Sequence, residues 1–230
     1  VPLMALLYLI LALVVVALNI SDLPAAIMTI VQSAFGIEQA AGGAMGYAIS
    51  QAIMNGIQRG LFSNEAGMGS APNAAATAST RPDHPAAQGF IQMLGVFLDT
   101  LVICTATAAI IIMAGPELLA SEESNGIQLT QMALSSHVGE WGGMFIAVAI
   151  LLFAFTSVIA NYSYGESNIE YLAGRRAPLA VMLYRLAVLG MIMVGSVASL
   201  GAIWNFADLS MGMMAIINLV AILLLSPIAF

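Results

Sequence analysis

The 230-residue sequence contains no lysine, a single cysteine, two histidines and five arginines. Charged residues make up 7% of it and hydrophobic residues 61%, against roughly 25% charged in a soluble domain. Each shortage excludes something. With so few cations there is no basic surface to neutralise phosphates, so a nucleic-acid partner is excluded. Cys104 lies alone in an apolar run, which excludes a disulfide framework. His84 and His137 have no ligand spacing, so no zinc site is expected. The apolar content excludes intrinsic disorder. What is present is long apolar sequence, the signature of an integral membrane protein. Val1 runs straight into such sequence and Phe230 ends another stretch of it. Both ends are therefore expected to be cut from a longer protein.

A span needs about 20 mostly apolar residues to cross about 30 Å of hydrocarbon. The first candidate is 1–19. The segment 20–41 carries Asp22, Pro24, Gln32, Glu38 and Gln39, and its short apolar middle predicts a helix lying at the membrane interface. Clear spans follow at 88–114, 142–164, 178–200 and 209–226. Counting 42–79 as one crossing gives six, in an all-α integral membrane fold.

Arginine bias in short loops orients the spans. Alternate connections carry Arg81 and the Arg175-Arg176 pair. The opposite connections carry no arginine, and the longest of them holds Glu117, Glu122, Glu123 and Glu140. The Arg81 and Arg175-Arg176 loops are therefore expected on the cytoplasmic side, as is Val1. Trp141 and Trp204 then fall at the outer boundary, as an aromatic belt requires.

Segment 42–79 is longer than one crossing needs, and its middle reads Gln58-Arg-Gly-Leu-Phe-Ser-Asn-Glu-Ala-Gly-Met-Gly-Ser-Ala-Pro72. Helix stop and start rules put Arg59 in a last turn, Gly60 just past it, Ser63 or Asn64 at an N-cap and Glu65 in a first turn. The expectation is a helix broken within the membrane, tolerated only when buried in protein or lining a watery cavity. Two full spans with a loop at 60–64 are the alternative. That choice would turn Arg175-Arg176 outward, against the positive-inside bias. Half-helix ends offer N–H groups to a carboxylate and carbonyls to a cation near mid-membrane. Small residues from Gly67 to Ala76 allow close helix packing.

Gly60-Leu-Phe-Ser-Asn-Glu-Ala-Gly-Met-Gly-Ser-Ala-Pro-Asn-Ala-Ala-Ala76 resembles the alanine or glycine:cation symporter family. Pro85-Ala-Ala-Gln-Gly89, the stretch from Val96 through Asp99 to Thr107, and Phe155-Thr-Ser with Tyr164-Gly-Glu-Ser-Asn168 extend the likeness along the whole chain. The resemblance implies an amino acid–polyamine–cation superfamily fold of two inverted five-helix repeats, each opening with a broken helix. Residues 1–19 would be the fifth helix, 42–79 the broken sixth, and the remaining spans the seventh to tenth. The chain would then carry about half of a transporter, with the N-terminal helices of that transporter as its partners. It would be a multi-pass protein of the inner (plasma) membrane, in contact with lipid. No enzymatic activity, catalytic residue or cofactor is implied, only Na⁺ as coupling ion and alanine or glycine as substrate.

Phe62, Ser63 and Asn64 lie at the expected break, where they contact substrate or, for the two polar residues, cap the second half-helix; both roles can coexist. Thr156 and Ser157 are adjacent hydroxyls in an apolar span. Such residues often bond the carbonyl one turn back, but two in succession point in different directions. The resemblance implies a Na⁺ site made of the Phe153 carbonyl, Thr156 and Ser157, with further ligands outside this chain. Asn161, one turn after Ser157, stands where many family members carry Trp beside the substrate, which changes the expected pocket. Asp99 is the one mid-span carboxylate, and a buried ionisable group in a membrane is functional by default. It is expected to sit near a cation, relay protons or pair with Arg59. A proton-coupled or passive permease of the same fold is the alternative function. An intramembrane aspartyl protease would need a second acid beside Asp99, and no other mid-span acid exists. Arg185 is expected to snorkel, Glu65 to cap a half-helix or act as an inner-gate residue, and Glu166, Asn168 and Glu170 to follow the eighth helix at the inner surface.

Overall fold

The structure is a computed structural model that describes residues 2–35, 45–119 and 126–229, all of whose regular elements are helical. Glu38, Gln39, the expected start of the broken helix at Gly42, and the loop acids Glu122 and Glu123 lie outside the described residues. Two compact units emerge, Val1–Arg59 with Gly95–Thr156, and Gly60–Leu94 with Ser157–Phe230.

In the first unit, α1 (Pro2–Leu18) and α2 (Leu23–Ala34) are bent by 104° about the intervening turn. Asn19 ends α1 by donating from its side-chain amide to the Val15 carbonyl at 2.8 Å, which satisfies one of the last orphan acceptors. Pro24 sits in the first turn of α2, where its missing N–H costs nothing. α3 (Met45–Asn64) runs on into the second unit.

The chain from α5 (Pro85–Phe97) to α6 (Thr105–Met113) passes through a π-helical stretch, Leu98–Cys104. Thr105 donates to the Thr100 carbonyl five residues back at 3.1 Å, the spacing of that wider turn. α7 (Pro116–Leu119) and α8 (Ile127–Val138) follow, with glycines in left-handed conformation before and after α8: Gly126 at φ +62° and Gly139 at φ +87°. Within the connection expected as an outer loop, Ile127–Val138 is thus a packed helix. Ala133 and Leu134 of α8 are buried with Ala12 and Val15 of α1, Ala106 and Ile110 of α6, and Ile146 of α9 (Glu140–Ala173). His137 joins the same contact through the Ile110 carbonyl at 3.1 Å.

The second unit holds the end of α3, a turn, α4 (Ala71–Ala75), most of α5, the later half of α9, α10 (Ala177–Val197) and α11 (Leu200–Ala229). α9 has 34 residues, about 51 Å at 1.5 Å per residue, so it outruns the hydrocarbon and carries Glu166, Asn168 and Glu170 beyond the expected end at Tyr164. α11 begins at Leu200 rather than at 209, so the segment expected as an outer loop is helical. Nothing between Gly201 and Asp208 breaks the helix, and an apolar face continues through it.

Among the described residues, four helical stretches are long and apolar enough to cross a membrane: Pro85–Met113, Glu140–Ala173, Ala177–Val197 and Leu200–Pro227. The bent pair α1 and α2 adds a fifth when taken together. α3 is 20 residues long but carries Gln51, Asn55, Gln58 and Arg59, too polar for a lipid-facing span. Large apolar side chains point outward along these helices, Leu186, Leu189, Met193 and Leu223 among them, as a hydrocarbon environment requires.

Candidate functional site

The break in the polar segment falls later than the stop and start rules place it. α3 continues through Gly60 to Asn64, and the chain leaves helical geometry only over Glu65–Ser70 before α4 begins at Ala71. Arg59 is therefore interior to the helix, Ser63 and Asn64 are its last residues rather than caps of the next, and Glu65 is the first residue past its end. A glycine inside a helix costs only about 1 kcal/mol, and Leu61 and Phe62 extend the apolar face beyond Gly60. Termination comes instead from Glu65 at φ +50° and Gly67 and Gly69, both at φ +86°, which leave the right-handed helical region.

Side-chain amides hold the carbonyls of this turn. Asn218 of α11 donates to the Gly67 carbonyl at 3.0 Å. Asn73 of α4 donates to the Gly69 and Ser70 carbonyls at 3.4 and 3.3 Å, and Asn168 of α9 donates to the Asn73 side-chain oxygen at 3.1 Å. Phe62 packs edge-on against Trp204 of α11, ring centroids 5.0 Å apart. Met68 and Ser70 are buried within the turn, whereas Phe62 and Ser63 are exposed and Asn64 and Glu65 half-buried. Sequence reasoning misses Asn218. The available signal is an amide set alone in the apolar run from Met211 to Leu225.

Phe153, Thr156, Ser157 and Asn161 all lie on α9. Thr156 donates to the Phe153 carbonyl at 2.9 Å, so two of the three expected cation ligands bond to each other. This is the local back-bonding that competes with any external role. The Phe153 carbonyl thus accepts both the helical N–H of Ser157 and the Thr156 hydroxyl, whose oxygen keeps its own lone pairs as acceptors. Asn161 likewise donates to the Ser157 carbonyl at 2.9 Å. Thr156 is half-buried, and Ser157 and Asn161 are exposed.

Within the first unit, a cavity of about 610 Å³ brings Asp99 and Phe153 into one wall, with Tyr8, Cys104, Thr107 and Thr130. Asp99 stands in the π-helical stretch, a geometry frequent at functional sites. Thr107 gives its proton to the Ile103 carbonyl at 2.9 Å, so the Tyr8 hydroxyl is the donor in their 2.6 Å bond. Tyr8 also meets the Phe153 ring edge-on. Cavities of this size, mostly apolar with a few convergent polar groups, are the usual form of a small-molecule site.

Arg185, expected to snorkel, has its partners within the second unit. It pairs with Glu166 and donates to the Tyr162 hydroxyl at 2.9 Å. No cluster of three or more His, Cys, Asp or Glu residues with metal-site geometry occurs among the described residues.

The sequence pattern of the sodium:alanine symporter family matches residues 1–230. The chain belongs to this family. The family is one of transporters, not enzymes. The chain is 52% identical to the amino-acid carrier protein AlsT of Bacillus subtilis and equally so to an uncharacterised transporter of Haemophilus influenzae, in each case over 100% of its length and 47% of the relative's. It is 51% identical to a probable sodium/glutamine symporter, GlnT, of Bacillus subtilis over 99% of its length and 45% of the relative's. The chain thus spans about half the length of the curated relatives it matches.

Proposed function

We propose that the chain supplies about half of a Na⁺-coupled symporter that carries a small neutral amino acid, alanine or glycine, by alternating access. The unwound Glu65–Ser70 stretch between two helical pieces is the observation that carries this reading. Such a turn leaves backbone groups outside the helical ladder, where a zwitterion's charged ends can use them. Phe62, Ser63 and Asn64 at the end of α3, with Ser157 and Asn161 of α9, are the proposed substrate contacts. The Phe153 carbonyl with the Thr156 and Ser157 hydroxyls is the proposed Na⁺ site, completed by ligands from the remaining helices of the transporter. Hard cations favour oxygen ligands of this kind. Asp99 serves this cation or pairs with Arg59.

The proposed arrangement has six crossings in an inner membrane, with 1–19 closing the first repeat and 42–79 opening the second. The Arg81 and Arg175-Arg176 loops face the cytoplasm, and α2 rests at the interface. Coupling follows when Na⁺ and substrate stabilise the same state, each raising the other's affinity. The proton-coupled permease is the second reading, favoured by Asp99 in the cavity wall.

The test is uptake of alanine, glycine and glutamine into proteoliposomes holding the full-length transporter, driven by a Na⁺ gradient or by a pH gradient without Na⁺. Na⁺-driven accumulation of alanine or glycine is expected. The Thr156→Ala, Ser157→Ala double variant should require at least tenfold more Na⁺ for half-maximal uptake, a loss of about 1.4 kcal/mol. Unchanged Na⁺ dependence in that variant removes the cation site, and uptake driven by pH alone selects the proton-coupled reading.

A further inference from the structure

The Glu65–Ser70 turn has little to hold it from within. Three of its residues, Glu65, Gly67 and Gly69, have positive φ, so successive peptide groups point in different directions and build no ladder. Its contact with α11 is made at two levels. Trp204 covers Phe62 just before the turn, and Asn218 meets the turn itself. The Asn218 amide donates to the Gly67 carbonyl at 3.0 Å while its side chain lies over Gly69, so closely that a Cβ there would come within 3.2 Å of Oδ1 and 3.3 Å of Cγ. The fit is mutual: a Cβ at position 69 would crowd the amide by a few tenths of an ångström at a positive φ that already favours glycine, and the amide in turn bonds the Gly67 carbonyl. Next to this contact is Ser70, 4% exposed, whose hydroxyl has no hydrogen-bond partner among the described residues. The carbonyls of the turn are thus held by two amides, Asn73 from the adjoining α4 and Asn218 from α11, and only Asn218 reaches Gly67 from a distant helix.

We propose that Asn218 is a positioning residue for the unwound segment. By holding the Gly67 carbonyl and covering Gly69, it fixes the direction in which the other peptide groups of the turn face, and through them the affinity for the transported amino acid. The second half of this statement rests on the transport reading above; the first does not. The role needs a donor at this position. Asn218→Asp would present carboxylate oxygens to a carbonyl, and Asn218→Ala would leave that carbonyl without its bond and a gap over Gly69.

The test uses these two variants in the full-length transporter, with Asn218→Gln as the variant that retains the donor. Amide hydrogen exchange across residues 65–70 reads the positioning directly. Alanine uptake, separated into KM and maximal rate, reads its consequence. In Asn218→Asp and Asn218→Ala, exchange in 65–70 should quicken by about tenfold and KM rise by a similar factor, with the maximal rate within about twofold of the parent. Asn218→Gln should recover part of both. Unchanged exchange at 65–70 in Asn218→Asp overturns the positioning role. Quickened exchange with unchanged KM and a lowered melting temperature reduces Asn218 to a structural contact and overturns the link to affinity. If the parent shows no Na⁺-driven uptake, the transport reading fails, and the exchange result alone decides whether Asn218 holds the turn.

Discussion

Replacing Gly165 by alanine should loosen the packing of α9 on α10, although alanine is the better helix former. A Cβ at this position would run into the Tyr184 hydroxyl and lie 2.5 Å from Tyr184 Cζ and 3.0 Å from Cε2. Carbon atoms rest at about 3.5–4.0 Å, so the ring must retreat by about 1 Å. It is not free to do so. The Tyr184 hydroxyl donates to the Tyr162 carbonyl at 3.2 Å, and the two rings stack with centroids 5.8 Å apart. Giving up that hydrogen bond costs about 1 kcal/mol, and disturbing the stack about 0.5–1.5 kcal/mol. Alanine in a helix interior returns up to about 1 kcal/mol relative to glycine. The net is a loss of about 1 kcal/mol. Gly190, on α10, supplies the control, since a Cβ there meets nothing within 4 Å. Gly190→Ala should gain up to about 1 kcal/mol, the propensity difference with no clash. The two substitutions therefore differ by about 2 kcal/mol, or about 4–8 °C in melting temperature for a chain of this size. Thermal unfolding of the detergent-purified protein measures the gap. Combining Gly165→Ala with Tyr184→Ala should remove the clash and leave a smaller loss than the sum of the single changes. Gly165→Ala melting at or above Gly190→Ala would refute the close approach of these helices.

Other contacts make equally direct predictions. Tyr8→Phe removes the donor of the 2.6 Å bond to Thr107 and should lower stability by about 1 kcal/mol. Thr107→Val should do the same, and the double variant should cost less than the two together, measurable by a double-mutant melting cycle. Ala133 is fully buried between α8 and its neighbours, so Ala133→Leu should destabilise by about 1–3 kcal/mol through overpacking. Met132→Leu next to it, 45% exposed, should leave the melting temperature within about 1 °C, because a near-isosteric change at an outward position disturbs little. Equal losses from the two would argue against the buried face assigned to α8.

The position of the break shows how far local rules reach. Gly60 is a reasonable stop signal, but its penalty is small enough that Leu61 and Phe62 can carry the helix past it. Phe62 then packs on Trp204, far along the chain. The stop at Glu65 needs two further left-handed residues, Gly67 and Gly69, and an amide from a residue 151 positions away to hold the carbonyl they expose.

By itself the sequence determined what depends on a run of neighbouring residues: membrane-length helices, their approximate limits at Pro85–Met113 and Ala177–Val197, a polar interruption between Gln58 and Pro72, and the family likeness carried by that interruption. Apolar length and glycine content are one-dimensional properties, and the cost of exposing backbone to lipid turns them directly into structure. Tertiary structure alone decided where the polar helix ends, that α8 folds back on α1 and α6, that Asp99 shares a cavity wall with Phe153, and that Asn218 meets Gly67. Each of these turns on a margin of about 1 kcal/mol per contact between distant segments. A margin that small is decided by what packs against it.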